Sequence, residues 1–209
     1  MAGDSETILE LKRVAGDAAL DFANTCDHQA GVIVADWLRS YADLLDWVGR
    51  VGLLEGAQVE HLRHVAARQP SAAADVYQQA LALRAAIYAI FSAIAGKQPP
   101  ATEALTYLNA VLAACQPHLQ IEPEGEGFRW GWAGDADALD RPLWLLARAA
   151  ADLLASPALR LLRQCPAEDC GWLFLDTSRN HTRRWCDMDD CGNRAKARRH
   201  YQQKSSQSQ

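Results

Sequence analysis

The sequence predicts an α+β fold, with a mainly helical N-terminal domain that contains a small β-hairpin, followed by a short cysteine-rich module. Three observations predict it: apolar residues at helical spacing through most of positions 1–160, a pair of β-like segments around a turn, and four grouped cysteines near the C-terminus. With 209 residues, 49% hydrophobic and 22% charged, the chain suits one full domain plus a small appendage.

We divide the chain into a helical domain at 1–160, a cysteine-rich module at 161–204, and a polar tail at 205–209 that we expect to be disordered. The N-terminal segment Met1 to Glu10 carries acidic groups and no basic one, unlike a secretory signal. The longest apolar stretch, Ala85 to Gly96, is too short to cross a bilayer. These features predict a cytoplasmic protein.

Helical periodicity predicts the elements of the first domain. The predicted helices span 36–48, 57–68, 71–95 and 102–115, and a last one runs from Asp140-Arg141-Pro142 to Ser156-Pro157. The longest, with Ser71 as its N-cap, is expected to be the central core helix. Leu119 to Pro123 and Phe128 to Trp132 flank Glu-Gly-Glu-Gly and predict two strands joined by a turn.

The cysteine pattern predicts a metal site. Two evenly built pairs, Cys165-x₄-Cys170 and Cys186-x₄-Cys191, are separated by the segment 171–185. In a reducing compartment, four closely spaced cysteines are more often thiolate ligands than disulfides, and Zn²⁺ accepts four of them in a closed, structural tetrahedron. An iron–sulfur cluster and four free buried thiols are the alternatives.

Other residues near this pattern are less suited to the metal. His181 and His200 lie near enough in sequence to replace a cysteine, but we expect solvated or DNA-facing side chains there. Cys26 and Cys115 have no partner at ligand spacing, and we expect them to be small core residues.

The segments around the cysteines predict a treble-clef-like zinc finger. Gly171 to Leu175 is β-like, 176–183 is a polar turn, and Arg184-Trp185 returns to the second pair, which together suggest a hairpin between the two cysteine pairs. After Cys191 the residues favour a helix. Asn193, Ala197 and Tyr201 form its least charged stripe, which we expect to pack inward.

Charge is distributed unevenly along the chain. From Cys165 onward there are eight Lys and Arg against six Asp and Glu, a net charge of +2, whereas positions 1–164 have 13 against 20, a net charge of −7. Any nucleic-acid contact should therefore lie in the C-terminal module. The predicted contacts are Arg179, Arg183, Arg184, Arg194, Lys196, Arg198 and Arg199.

On the predicted helix, Arg194 and Arg198 share one flank, and Lys196, Arg199 and His200 share another. These side chains should face solvent with no acidic residue to neutralise them. Arg and Lys so placed suit phosphates and guanine edges in a major groove. A solvated basic helix that binds nothing is the alternative.

Two stretches resemble known families. Cys165-Pro-Ala-Glu-Asp-Cys170 and Arg183-Arg-Trp-Cys186-Asp-Met-Asp-Asp-Cys191-Gly-Asn-Arg194 are similar to the CGNR zinc finger. Leu20-Asp-Phe-Ala-Asn24-Thr25 resembles a signature of the ABATE domain, which precedes this finger in bacterial stress-induced transcription regulators. The resemblance implies zinc on the four cysteines, an α+β N-terminal domain and a role in transcription.

The signature residues allow two interpretations. Asp21, Asn24, Thr25 and Arg84 could line a pocket that senses a small molecule, or they could satisfy backbone groups and form ion pairs for stability. We favour the structural interpretation. The chain contains no P-loop, dinucleotide fingerprint, nucleophile elbow or H-E-x-x-H, so we do not expect an enzyme.

The sequence thus predicts a zinc-dependent, DNA-binding transcription regulator whose N-terminal domain senses a ligand or mediates association, for example as a homodimer. Alternatives are an RNA-binding or protein-docking zinc module, or an enzyme that uses the N-terminal pocket. We also expect chelation to unfold the finger and to spare the larger helical domain.

Overall fold

The structure, a computed structural model, describes residues 7–29, 32–134 and 136–199. Its helices are α1 (Ala18–Ala23), α2 (Tyr41–Arg50), α3 (Gly56–Arg68), α4 (Pro70–Ala95), α5 (Thr102–Cys115), α6 (Arg141–Leu154) and α7 (193–199), the last preceded by a π-helical turn at Met188–Gly192. Three antiparallel strand pairs are formed by β1 (Cys26–Gln29) with β2 (Val32–Asp36), β3 (Leu119–Glu124) with β4 (Gly127–Trp132), and β5 (Leu162–Gln164) with β6 (Leu173–Leu175).

Helix α4 is the centre of the fold, as its periodicity predicts. It contacts α1, α2, α3, α5 and α6 as well as both strands of the β5–β6 pair. Pro70 occupies its first turn after the N-cap Gln69, so the prediction of Ser71 as the N-cap is wrong. Proline suits the first position because its φ is already helical and its missing N–H would have had no partner there.

By length and composition alone, α4 is long and apolar enough to cross a membrane. The apolar stretch predicted from the sequence forms only the C-terminal part of α4, and the helix begins well before it. In the fold its inner face is covered by the other helices, and Leu83, Ile87 and Phe91 are fully buried. Such burial is typical of the core helix of a globular domain.

The other predicted helices agree with the structure to within a few residues, with one exception. The first one begins at Tyr41 with Ser40 as its N-cap, not at Asp36. Asp36 instead ends β2, and its carboxylate is paired with a buried arginine. The predicted β3–β4 hairpin is confirmed, whereas the sequence patterns do not predict α1 or the β1–β2 hairpin.

The cysteine-rich module is not organised as the predicted hairpin between the two cysteine pairs. Strand β6 pairs with β5, which precedes Cys165, in the register Leu162↔Leu175, and residues 184–185 have no regular structure. The β5–β6 hairpin therefore encloses the first cysteine pair. Leu173 and Phe174 of β6 are fully buried in the same hydrophobic core as the helices, so the module and the helical domain share one core.

Candidate metal centre

Four elements of the module bring its cysteines together. Cys165 follows β5, Cys170 precedes β6, Cys186 lies in the loop after β6, and Cys191 lies in the π-helical turn. All four are buried, and their sulfurs lie within 4.8 Å of one another. The Sγ atom of Cys186 is 3.5 Å from that of Cys170 and 3.6 Å from that of Cys191.

This spacing fits one metal ion. A tetrahedron with metal–sulfur bonds of about 2.3 Å has edges of about 3.8 Å. An iron–sulfur cluster holds its cysteine sulfurs farther apart, because several irons and sulfides lie between them. Hydrogen bonds from the other three thiols lower the pKa of Cys165, which favours the thiolate form of this cysteine. The donor set is that of a metal-binding site, consistent with zinc.

The other candidate ligands lie elsewhere. His181 is exposed, and its Nδ1 lies 3.0 Å from the backbone oxygen of Asp176 rather than near the sulfurs. His200 is outside the described residues. Cys26 and Cys115 are buried in the helical domain, and burial raises the pKa of Cys26 to about 12, so its thiol stays protonated.

Arg194 lies beside the sulfur cluster. Its guanidinium donates to the Sγ of Cys191 at 3.0 Å and pairs with Asp169 and Asp190, each at 3.2 Å. Arg198 is 3.8 Å from the same Asp169. The expectation that the helix cations have no acidic neighbour is therefore wrong for Arg194 and Arg198. Their acidic partners, Asp169 and Asp190, lie in the module but outside α7.

The orientation of α7 also differs from the prediction. Asn193 and Ala197, expected to pack inward, are exposed, while Arg194, Ala195 and Arg198 are partly buried. The arginine contacts with Cys191 and Asp169 turn this charged face inward. Tyr201, the third member of the predicted inward stripe, lies outside the described residues.

Replacing Arg194 should weaken metal retention, since the N–H donated to Cys191 compensates part of the negative charge of the thiolates. Changes in such outer contacts lower metal affinity by about 10–100-fold. We expect Arg194→Gln to lose the metal to a competing chelator at correspondingly lower chelator concentration. Lys196→Gln, on the same helix and exposed, is the matched control and should retain the metal as the parent chain does. Equal retention by both variants would contradict this role.

Arg183 is also used structurally. Its guanidinium donates to the backbone oxygens of Val14, Trp185 and Cys186 and lies 4.5 Å from the ring centroid of Phe174. It therefore ties the N-terminal segment to the loop that carries the third cysteine.

Four of the predicted nucleic-acid contacts remain exposed to solvent: Arg179, Arg184, Lys196 and Arg199. Arg184 lies over the ring of Trp185 at 5.2 Å. None of the four takes part in an ion pair within the described residues. The charge of these four residues therefore remains accessible to a partner.

Asn24 clamps the module to the helical domain. Its side-chain Nδ2 donates to the backbone oxygen of Leu173 at 2.8 Å, and its Oδ1 accepts from the backbone N–H of the same residue at 2.9 Å. Asn24 is itself buried at the C-cap of α1. One side chain thus satisfies both main-chain groups of the first residue of β6.

The remaining signature residues also have protein partners. Asp21 accepts from the backbone N–H of Ala15 at 2.9 Å, and burial raises its pKa. The Thr25 hydroxyl donates to the oxygen of Phe22 at 2.8 Å and accepts from Arg84 at 3.0 Å. These contacts agree with the structural interpretation of the signature.

Arg84 forms a buried bidentate pair with Asp36, at 2.7 and 2.5 Å, and lines a cavity of about 200 Å³. Asp21 and Asn24 do not line it. His28 and Tyr88 line the cavity, with their rings stacked at a centroid distance of 3.7 Å, and neither residue is among the predicted site residues. No sequence motif marks them, because they come from a short strand and from the middle of a long helix.

The cavity adjoins the first cysteine pair. The backbone N–H of His28 donates to the oxygen of Cys170 at 3.2 Å, and the Tyr88 hydroxyl donates to the oxygen of Gly171 at 3.2 Å. Gln164 in β5 donates to the same Tyr88 oxygen at 3.0 Å. Two residues of the cavity wall therefore contact the backbone at a metal-binding cysteine.

Comparison with known proteins gives two family matches. Residues 16–157 match the model of the ABATE family, described as "Putative stress-induced transcription regulator", and residues 161–204 match that of the CGNR zinc finger. No curated protein matches the chain. The first match covers well over half of the sequence, and the second contains all four clustered cysteines. The chain therefore belongs to the ABATE family and carries a CGNR zinc finger after the ABATE domain.

Proposed function

We propose that this chain is a cytoplasmic, zinc-dependent transcription regulator that binds DNA through the exposed cations of its CGNR finger. The observation that carries the proposal is the placement of Lys196 and Arg199. Both face solvent on a helix whose first turn is fixed by Cys191 and Arg194. A basic surface held rigidly on a helix suits the phosphates and base edges of a major groove.

Zinc would be held by the four clustered cysteines, where it supplies a structural cross-link between β5, β6 and the last helix. Four cysteine ligands complete its coordination and leave no position for a substrate. The proposed role is therefore binding, not catalysis.

Charge supports a contact through the finger alone. Positions 1–164 have a net charge of −7 and are repelled by phosphate, whereas the module is net positive. Arg179 and Arg184 add two exposed cations in the loop before the second cysteine pair. Arg183, Arg194 and Arg198 support this surface from within the fold.

For the N-terminal domain we propose ligand sensing at the cavity lined by Arg84 and Asp36. Its polar groups and the stacked rings of His28 and Tyr88 suit a small polar molecule with a planar part. The contacts of His28 and Tyr88 with Cys170 and Gly171 offer a direct route from this cavity to the finger.

The test of DNA binding is a comparison of charge reversals. We expect Lys196→Glu with Arg199→Glu to lower affinity for duplex DNA selected from genomic fragments by at least about tenfold, and to reduce its salt dependence. With four accessible cations per chain, the slope of log affinity against log salt should be about −3.6 for the parent and about −1.8 for the variant. Fluorescence anisotropy measures both quantities.

The matched control, Arg68→Glu with Lys97→Glu, makes the same charge change on the helical domain and should leave the salt slope near that of the parent. Equal losses in both double variants would reject the finger as the contact surface. Binding that ignores salt, or that prefers single-stranded RNA of the same length, would favour the protein-docking or RNA-binding alternative.

A further inference from the structure

The β3–β4 hairpin exposes an apolar face. Its register places Ile121 opposite Trp130 and Pro123 opposite Phe128, so these side chains project from one side of the sheet. Phe128 is 76% and Trp130 is 55% exposed. Arg148 of α6 covers Trp130 from one side, at 4.8 Å from its ring centroid. Large aromatic side chains at this level of exposure typically mark a contact surface.

The outer edge of β4 is open at Phe128 and Trp130, whereas the outward oxygen of Trp132 accepts from the Arg141 guanidinium at 3.2 Å. A two-residue turn joins the strands, with Gly125 at φ +59 as a type II′ turn requires at its first central position. Counted from the turn, hydrogen-bonded and non-hydrogen-bonded residue pairs alternate along the hairpin. Phe128 and Trp130 belong to non-hydrogen-bonded pairs, so their backbone N–H and C=O groups point away from β3. The bond from the Ala133 N–H to the His118 oxygen, at 2.6 Å, continues this alternation.

The two edges of the hairpin are not equivalent. On β3 the outer edge includes Pro123, which has no N–H to donate, and proline protects an edge strand from pairing. On β4 the outward groups of Phe128 and Trp130 have no such protection. Addition of another strand is therefore favoured at β4.

We propose that a second copy of this chain pairs with the open edge of β4, giving an antiparallel four-stranded sheet in the order β3–β4–β4–β3 across a twofold axis at Trp130. In this register Trp130 lies opposite Trp130 of the second copy, and Phe128 opposite Trp132. Twofold pairing of one surface with itself closes the assembly at two chains.

Charge complementarity on the polar face selects this partner and this register. Arg129 pairs with Glu122 at 3.0 Å within the hairpin, and Gln120 donates to the same carboxylate at 2.9 Å. That carboxylate extends across Gly131, where any side chain would collide with it. In the proposed register the Arg129 of the second copy lies opposite Gly131, next to this Glu122 carboxylate.

The dimer therefore contains an alternating row of charges, Glu122 and Arg129 of one copy beside Glu122 and Arg129 of the other. Sliding the pairing by two residues towards the turn would place Arg129 opposite Arg129, and like charges directly opposite are destabilising. The apolar face and the charge row thus favour the same alignment. Dimerisation through β4 does not require DNA binding.

The test uses two single variants of the full chain. In a homodimer of Glu122→Arg, or of Arg129→Glu, every charge pair between copies becomes a pair of like charges. We expect each variant alone to self-associate at least about tenfold more weakly than the dimeric parent at micromolar concentration. In an equimolar mixture the pairs between copies are again opposite in sign, and we expect dimers to reform. Sedimentation velocity with one chain labelled measures both.

Circular dichroism and metal content establish that the variants are folded, and Glu103→Arg on the exposed side of α5 is the matched control that should remain dimeric. A monomeric parent at micromolar concentration overturns the proposal, and so does a mixture of the two variants that stays monomeric. Dimers in both single variants would place self-association on another surface and overturn it as well.

Discussion

Chelation of the metal is expected to lower the unfolding temperature of the whole chain and to remove part of its helical signal. The metal-binding cysteines and β6 belong to the same core as α1 and α4, so loss of the metal uncovers these helices. Structural zinc contributes about 10–16 kcal/mol in isolated fingers, which is comparable with the total stability of a domain, about 5–15 kcal/mol. Thermal unfolding followed by circular dichroism, with and without chelator, measures the effect.

This expectation replaces the one drawn from the sequence, in which chelation spares the helical domain. Cys170→Ala should reproduce the effect of chelator in its absence. Cys115→Ala removes a buried cysteine outside the cluster and should respond to chelator as the parent does. A helical transition at the same temperature with and without metal would establish an independent finger and contradict the shared core.

The sequence carries most of the information on the long elements. Helix α5 begins and ends where predicted, at Thr102 and Cys115, because a helix of this length has enough turns for the apolar period to be recognised. The β3–β4 hairpin is equally clear, because a glycine-rich turn separates two strand-like segments. The four cysteines are recognisable from spacing alone, since the ligand types and intervals of metal sites are restrictive.

Short elements and long-range contacts are not predictable in the same way. Helix α1 has fewer than two turns, so no period can be read from it. The predicted partner of β6 is wrong because pairing depends on which segment the core brings close. The inward turn of Arg194 follows from Asp169, which lies before β6 and which no local pattern connects with the helix.

The signature around Asn24 illustrates the difference between a motif and its role. The sequence singles out Asn24 and Arg84 but leaves open whether they bind a ligand or support the fold. The answer depends on β6, which lies near the other end of the chain, and on Asp36, which the sequence pattern assigns to a helix. Both partners become visible only after the module has packed against α1 and α4.

Asn24→Ala is expected to be among the most destabilising single substitutions in this chain. It leaves the N–H and the C=O of Leu173 buried and unpaired, and each buried unsatisfied group costs about 1–3 kcal/mol. The free energy of unfolding should therefore fall by about 2–6 kcal/mol. Denaturant unfolding of the metal-loaded chain measures it. Asn180→Ala, the same change at an exposed position, should have little effect.

The same variant separates the two interpretations of the signature, because a ligand-binding residue and a clamp respond differently to truncation. A ligand contact that supports no backbone group can be truncated with little change in the stability of the ligand-free protein. A clamp between α1 and β6 cannot, and its loss should also speed release of the metal, since β6 follows closely on Cys170. Unchanged unfolding and metal release in Asn24→Ala would therefore contradict the role of this side chain as a clamp between α1 and β6.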